Sequence, residues 1–217
     1  MKALLHRHPV SLALAAAWAM SSTALTALGP PYHADLLALG STTLPHLLRW
    51  PVTVPVSALL VAEDLAVWLV AVGLGVAVVE ARVGWRPALV LVGAVHLGAT
   101  VLSQGLLGLR VAVDATPQSA LHQLDVGPSY VVIGGLVGAA VLSRTRWGRV
   151  AALAALAVGI PELVEGLPRF ELAATGHVAA VLIAVPLARR LRPVARPDPD
   201  RRSPCGQDLS GPGSPGR

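Results

Sequence analysis

Six stretches of this chain are apolar over lengths close to a bilayer crossing. A hydrocarbon core about 30 Å thick takes about 20 residues of helix to span. The candidate spans are residues 10–28, 56–79, 87–109, 126–143, 150–164 and 172–188. Four of them carry no Asp, Glu, Lys or Arg. The second is apolar apart from Glu63 and Asp64, and the fifth has Pro161 and Glu162 near its end. Charged residues are only 13% of the chain and hydrophobic residues 54%. Soluble domains carry about 25% charged residues, so a soluble globular protein is excluded. The same hydrophobicity excludes wholesale disorder. The first stretch follows Lys2 and Arg7 as a signal peptide would. Its 19 residues exceed a signal peptide's apolar core and no clear cleavage site follows, so it reads as a retained span.

The basic residues test this map. With both termini in the cytoplasm, 14 of the 17 Lys and Arg fall on the inner side. Only Arg49, Arg110 and Arg169 fall outside. That asymmetry is a strong positive-inside signal. It also accounts for a pI near 10.6 without nucleic acid as a partner. The expectation is an all-α membrane protein, a six-helix bundle over residues 1–191 in the cell membrane. Gly- and Ala-rich spans allow the close helix contacts such a bundle needs. Residues 192–217 read as a disordered cytoplasmic tail, with six Pro and four Gly from Pro193 onward. The single Cys, Cys205, lies in it, so no disulfide framework or cysteine metal site is expected. No internal repeat, cofactor or metal motif is visible, and the lipid bilayer is the one certain partner.

Ionisable residues inside a span are costly and mark function by default. The spans hold Glu63, Asp64, His96 and His177, with Asp125 at a span edge. At 1.5 Å rise per residue, Ser129 lies roughly 5 Å inside its span and His177 roughly 8 Å. Glu63 and Asp64 lie roughly 10–12 Å inside, and His96 near the midplane. All but His96 fall near the outer face and can converge on a water-accessible pocket. Ser129 follows Gly127-Pro128, which places it in the first turn of the fourth helix, with Pro at the first helical position. Free N–H groups there favour an oxyanion. A Ser, a base within reach and such donors are the parts of nucleophilic catalysis. Plainer roles stay open: Ser129 as a helix cap, and His177 or His96 as an interhelical hydrogen-bonding group. Glu63 and Asp64 would then bind a cation or pair with His96. Gly134, Gly135 and Gly138 read as packing residues, and the Trp residues sit mostly near predicted interfaces.

From the second to the sixth span, these residues resemble the rhomboid family of intramembrane serine proteases. Gly127-Pro128-Ser129 matches the first three positions of the family's Gly-x-Ser-Gly. Gly176-His177 stands where the family has Ala-His-x-x-Gly. Glu80-Ala81-Arg82-Val83-Gly84 matches Glu-x-Arg-x-Gly fully. The Asp-Val-Gly-x-Ser-Tyr and Gly-His strings are similar to those of an actinobacterial group of rhomboid-like membrane proteins. The long first outer loop, residues 29–55, also fits the rhomboid plan.

The resemblance implies Ser129 as nucleophile and His177 as general base. Gly127, Tyr130, Glu63 and Asp64 would line the oxyanion side. Glu80, Arg82, Gly84, His96, Asp125 and Gly176 would be structural. Three departures stand out. The family's His-x-x-x-Asn in the second span corresponds to the Glu63–Trp68 region, which holds neither His nor Asn. The Gly after the nucleophile is Tyr130, and the aromatic one turn later is Ile133. Two readings therefore stand: a divergent protease cleaving single-span membrane substrates, or an inactive rhomboid-fold protein binding membrane clients or ligands. A small transporter using Glu63, Asp64 and His96 ranks below both, because no inverted repeat is visible.

Overall fold

The structure, a computed structural model, describes residues 7–62 and 64–192. Lys2, Glu63, Cys205 and the expected tail beyond Arg192 lie outside the described residues. Among the described residues all regular structure is helical. Helix α1 is Pro9–Leu28, α2 Pro30–Gly40, α3 Leu44–Arg49 and α4 Thr53–Ser57. Helices α5 (Leu65–Leu74) and α6 (Val76–Val83) continue one another across Gly75. Then follow α7 Trp85–Ala112, α8 Ser129–Leu142, α9 Arg146–Val164 and α10 Leu172–Arg190, with short 3-10 turns at Gln118–His122 and Leu167–Arg169.

Five of these runs are long and apolar enough to cross a membrane: α1, α5 with α6, α7, α9 and α10. The remaining apolar helix, α8, has 14 residues where the sequence predicts a span over 126–143. At 1.5 Å per residue it covers about 21 Å, short of a full bilayer core. It stands at the centre, packed by α5, α6, α7, α9 and α10. Eleven of its residues are buried, as suits a helix that is apolar all round. The second span also differs from expectation. It begins at Leu65, not 56, because Asp64 adopts a left-handed conformation (φ 51°) and the chain before it folds separately as α4. The segment expected as a long loop, 29–55, holds α2, α3 and the start of α4.

Small residues set the closest contact. A Cβ on Gly75 would lie 2.8 Å from the backbone of Gly135 and Leu136. Neither backbone can yield cheaply, so glycine there lets α8 touch the second span. One end of the bundle is tied by the Glu80–Gly84 motif. The Glu80 carboxylate is buried and accepts from Val10 N–H (2.8 Å), Ser11 N–H (3.0 Å) and Ser11 Oγ (2.7 Å). It therefore serves the orphan donors in the first turn of α1 from another helix. Arg82 Nε donates to Leu142 O (3.1 Å), Arg149 Nε to Ser143 O (2.9 Å) and Arg192 Nη2 to Val141 O (3.3 Å). Three guanidiniums thus hold the last carbonyls of α8, where its dipole favours cations. Gly84 (φ 85°) makes the turn into α7.

Candidate functional site

At the opposite end, the first turns of α5, α8 and α10 meet the last turn of α9. Ser129 is the first residue of α8, and Pro128 takes the N-cap position, one residue earlier than the sequence reading placed it. His177 lies in the second turn of α10. Ser129 Oγ and His177 Nε2 are 3.1 Å apart, within hydrogen-bond reach for proton transfer. The other ring nitrogen, Nδ1, lies 3.0 Å from Leu163 O in α9. A carbonyl only accepts, so Nδ1 carries the proton and Nε2 presents its lone pair to the serine hydroxyl. Leu163 is available because its carbonyl belongs to the last turn of α9, which has no partner further along the helix. Ser129, His177 and the Leu163 carbonyl thus form one chain of hydrogen-bonded contacts.

Tyr130 packs against His177 from the side. Its ring meets His177 edge-on, with centroids 5.5 Å apart at 73°. Its other neighbour is His96, 5.8 Å away and tilted at 43°. The Tyr130 hydroxyl donates to Asp125 at 3.3 Å. Burial pushes the Asp125 carboxyl up to about 6, while the Tyr130 hydroxyl and the Gln104 side chain pull the other way. Gly176 makes room for this tyrosine: a Cβ there would collide with its hydroxyl and ring.

His96 does not join the dyad. Its Nε2 bonds Val54 O at 2.7 Å, with Ser57 Oγ at 3.4 Å, and so fixes α4 against α7. Among the described residues it pairs with no acidic side chain. Gly127 offers no free donor, since its N–H goes to Ser57 O at 3.0 Å. Asp64 sits at the exposed N-cap of α5, not 10–12 Å inside a span, and does not line the cavity beside Ser129. The left-handed turn that starts α5 puts it outside the helix. Tyr130 lies behind the dyad, away from that cavity. Among the described residues no three His, Cys, Asp or Glu side chains cluster as a metal site.

That cavity is a groove of about 700 Å³ between α5 and α9, floored by α8. Val67, Trp68, Leu74, Val132 and Leu136 line it, and Ser129 opens into it. Helix α9, which forms one wall, is the least covered of the five long helices. Two features of this site were not expected from the sequence: the Leu163 carbonyl and the carboxylate of Glu162 on the groove wall. A backbone acceptor has no sequence signal. Glu162 did have one, as an acidic residue within an apolar run.

A bundle of apolar helices around a short central helix, with a Ser–His contact at one end, defines a multi-pass helical membrane protein. The family model described as rhomboid-like protein matches residues 5–196. The chain therefore belongs to the rhomboid-like family. No curated protein and no solved structure matches it.

Proposed function

We propose that this chain is a divergent intramembrane serine protease that cleaves single-span membrane proteins. The observation that carries this reading is the Ser129–His177 contact, with the base oriented by Leu163 O. Helix α8 counts as the sixth crossing in this reading. Its short length leaves its ends recessed, where water reaches Ser129 from the outer face. The termini, the Glu80 motif and most arginines then face the cytoplasm, in accord with the positive-inside count.

The mechanism follows from the geometry. His177 Nε2 takes the Ser129 proton as Oγ attacks a scissile carbonyl presented from the groove. The imidazolium formed is steadied by its Nδ1–H bond to Leu163 O. The N–H groups of the first α8 turn have no helical acceptor and point toward the developing oxyanion. They stand in for the His and Asn that the Glu63–Trp68 region lacks. His177 then gives its proton to the leaving amine, and water, activated by the same nitrogen, releases the acyl group.

The test is labelling of the membrane-embedded protein with a fluorophosphonate serine probe, with a known rhomboid protease as control. Labelling of the wild type that is lost in Ser129→Ala and in His177→Ala is the expected outcome. A labelled control beside an unlabelled wild type would overturn the reading. So would labelling that persists in Ser129→Ala.

A further inference from the structure

The groove beside Ser129 has one charged lining residue among the described residues, Glu162. Every other group facing it is apolar or small, apart from Ser129 and the indole of Trp68. No hydrogen bond or ion pair joins Glu162 to any described residue. A carboxylate on an apolar, lipid-facing wall is expensive unless it is hydrated or paired. Its own helix does not favour it either. Glu162 sits in the last turn of α9, where the helix dipole favours cations and opposes anions. The neighbouring Pro161 adds no donor that could hold it. Nothing among the described residues pairs with the charge, so it is free to meet an occupant of the groove.

Position narrows the occupant. Glu162 lies two residues before the end of α9, roughly 3 Å along the axis. That is the same end of the bundle at which α8 begins with Ser129. The rest of the groove runs down α5 and α8 past Val70, Leu74 and Leu136, a surface for an apolar helix. An occupant that satisfies both parts is an apolar membrane segment with a cation at its outer boundary.

We propose that Glu162 is a specificity-determining residue: it selects membrane segments with a Lys or Arg at their outer boundary and seats the adjacent backbone at Ser129. The proposal takes the groove of the protease reading as its starting point. Basic residues are the minority on the outer side of membrane proteins, so such a pairing discriminates among clients. The pairing forms at a partly desolvated site, where a charge-assisted contact is worth about tenfold in affinity.

The experiment measures binding and cleavage separately. Ser129→Ala protein in lipid nanodiscs is titrated with fluorescent single-span peptides that differ only in an Arg, Gln or Glu at the outer boundary. The Arg peptide is expected to bind about tenfold more tightly than the Gln peptide. The Ser129→Ala/Glu162→Lys protein is expected to prefer the Glu peptide. Glu162 is exposed, so this exchange leaves the fold intact. Equal affinities for all three peptides, or an unchanged order in the Lys variant, would overturn the proposal. So would no binding by any peptide. Wild-type protein is then scored for cleavage of the same set. Charge-dependent binding without cleavage keeps the role of Glu162 and removes the protease reading. Cleavage with no charge preference keeps the protease and removes the role of Glu162.

Discussion

The replacement of Gly176 by Ala gives a sharp test of the packing behind the dyad. Two departures from the rhomboid pattern touch each other here. Tyr130 stands where the family has Gly, and Gly176 stands where it has Ala. Bulk gained on α8 is matched by bulk lost on α10. A Cβ on Gly176 would meet the Tyr130 hydroxyl and ring, with Cε1 at 2.7 Å. The tyrosine has no room to retreat, because it is 2% exposed and backed by His96 at 5.8 Å. Overpacking of this kind costs about 1–3 kcal/mol. A forced tilt also gives up the edge contact with His177, about 0.5–1.5 kcal/mol. The expected loss of stability for Gly176→Ala is therefore about 2–4 kcal/mol, read as a lower thermal unfolding midpoint in detergent. The rate of fluorophosphonate labelling is expected to fall at least about tenfold, since His177 shifts from Ser129. In a Tyr130→Ala background the added methyl enters vacated space. There, Gly176→Ala is expected to change stability by less than about 0.5 kcal/mol. An equal penalty in both backgrounds would refute the compensation argument.

Glu80→Ala leaves two backbone donors and one hydroxyl of the first α1 turn without their acceptor, at a buried site. The expected cost is about 3–5 kcal/mol, measured by unfolding in mixed micelles, against about 1 kcal/mol for Ser11→Ala. Equal effects of the two changes would show that the carboxylate is not what holds α1. Asp125 gives a pH dependence of definite sign. Its folded value, raised from 3.8 to about 6, means that the folded protein binds this proton more tightly than the unfolded chain. Its stabilising contribution is complete below pH 3.8 and is lost as pH rises through 6. The amplitude is at most about 3 kcal/mol. Asp125→Asn is expected to flatten that part of the stability profile between pH 4 and 7, and an unchanged slope would remove Asp125 as its source.

Much of the architecture was legible because bilayer thickness writes itself into the chain as apolar length. The starts of α1 and α10 and the ends of α1, α9 and α10 fall within two residues of the expected spans. Where reading failed, local backbone chemistry outweighed hydropathy. Residues 56–62 are about as apolar as those of α5, but a left-handed Asp64 stands at the start of α5 and divides the run. The depth reckoned for Asp64 assumed one unbroken helix and fell with it. Ser129 and His177 were legible because each is a polar group at matched depth on different helices. Their contact is a property of helix packing, which Gly75 and Gly135 set and which spacing along the chain does not encode. Asp125 and Tyr130 were visible as residues, but not as a bonded pair behind His177. The Leu163 carbonyl was invisible in principle, because every residue has one.

The two ends of α8 are treated in opposite ways, and in the protease reading this asymmetry locates the chemistry. A helix buried on all sides must find partners for its terminal backbone groups or bear the cost of leaving them bare. At the C-terminal end, Arg82, Arg149 and Arg192 supply donors to three consecutive carbonyls, Leu142, Ser143 and Val141. At the N-terminal end no side chain caps the helix. Pro128 has no N–H or hydroxyl to offer, and Ser129, which has the right side chain for a cap, turns its hydroxyl to His177 instead. A capping serine would have been the stabilising choice, worth about 1 kcal/mol. The fold forgoes it and leaves free donors, at the positive end of a dipole, beside an oxygen held by a base. Structural economy alone would have closed this end as it closed the other. An uncapped first turn is the arrangement that a negatively charged oxygen needs, and it sits at the one place where such an oxygen would form.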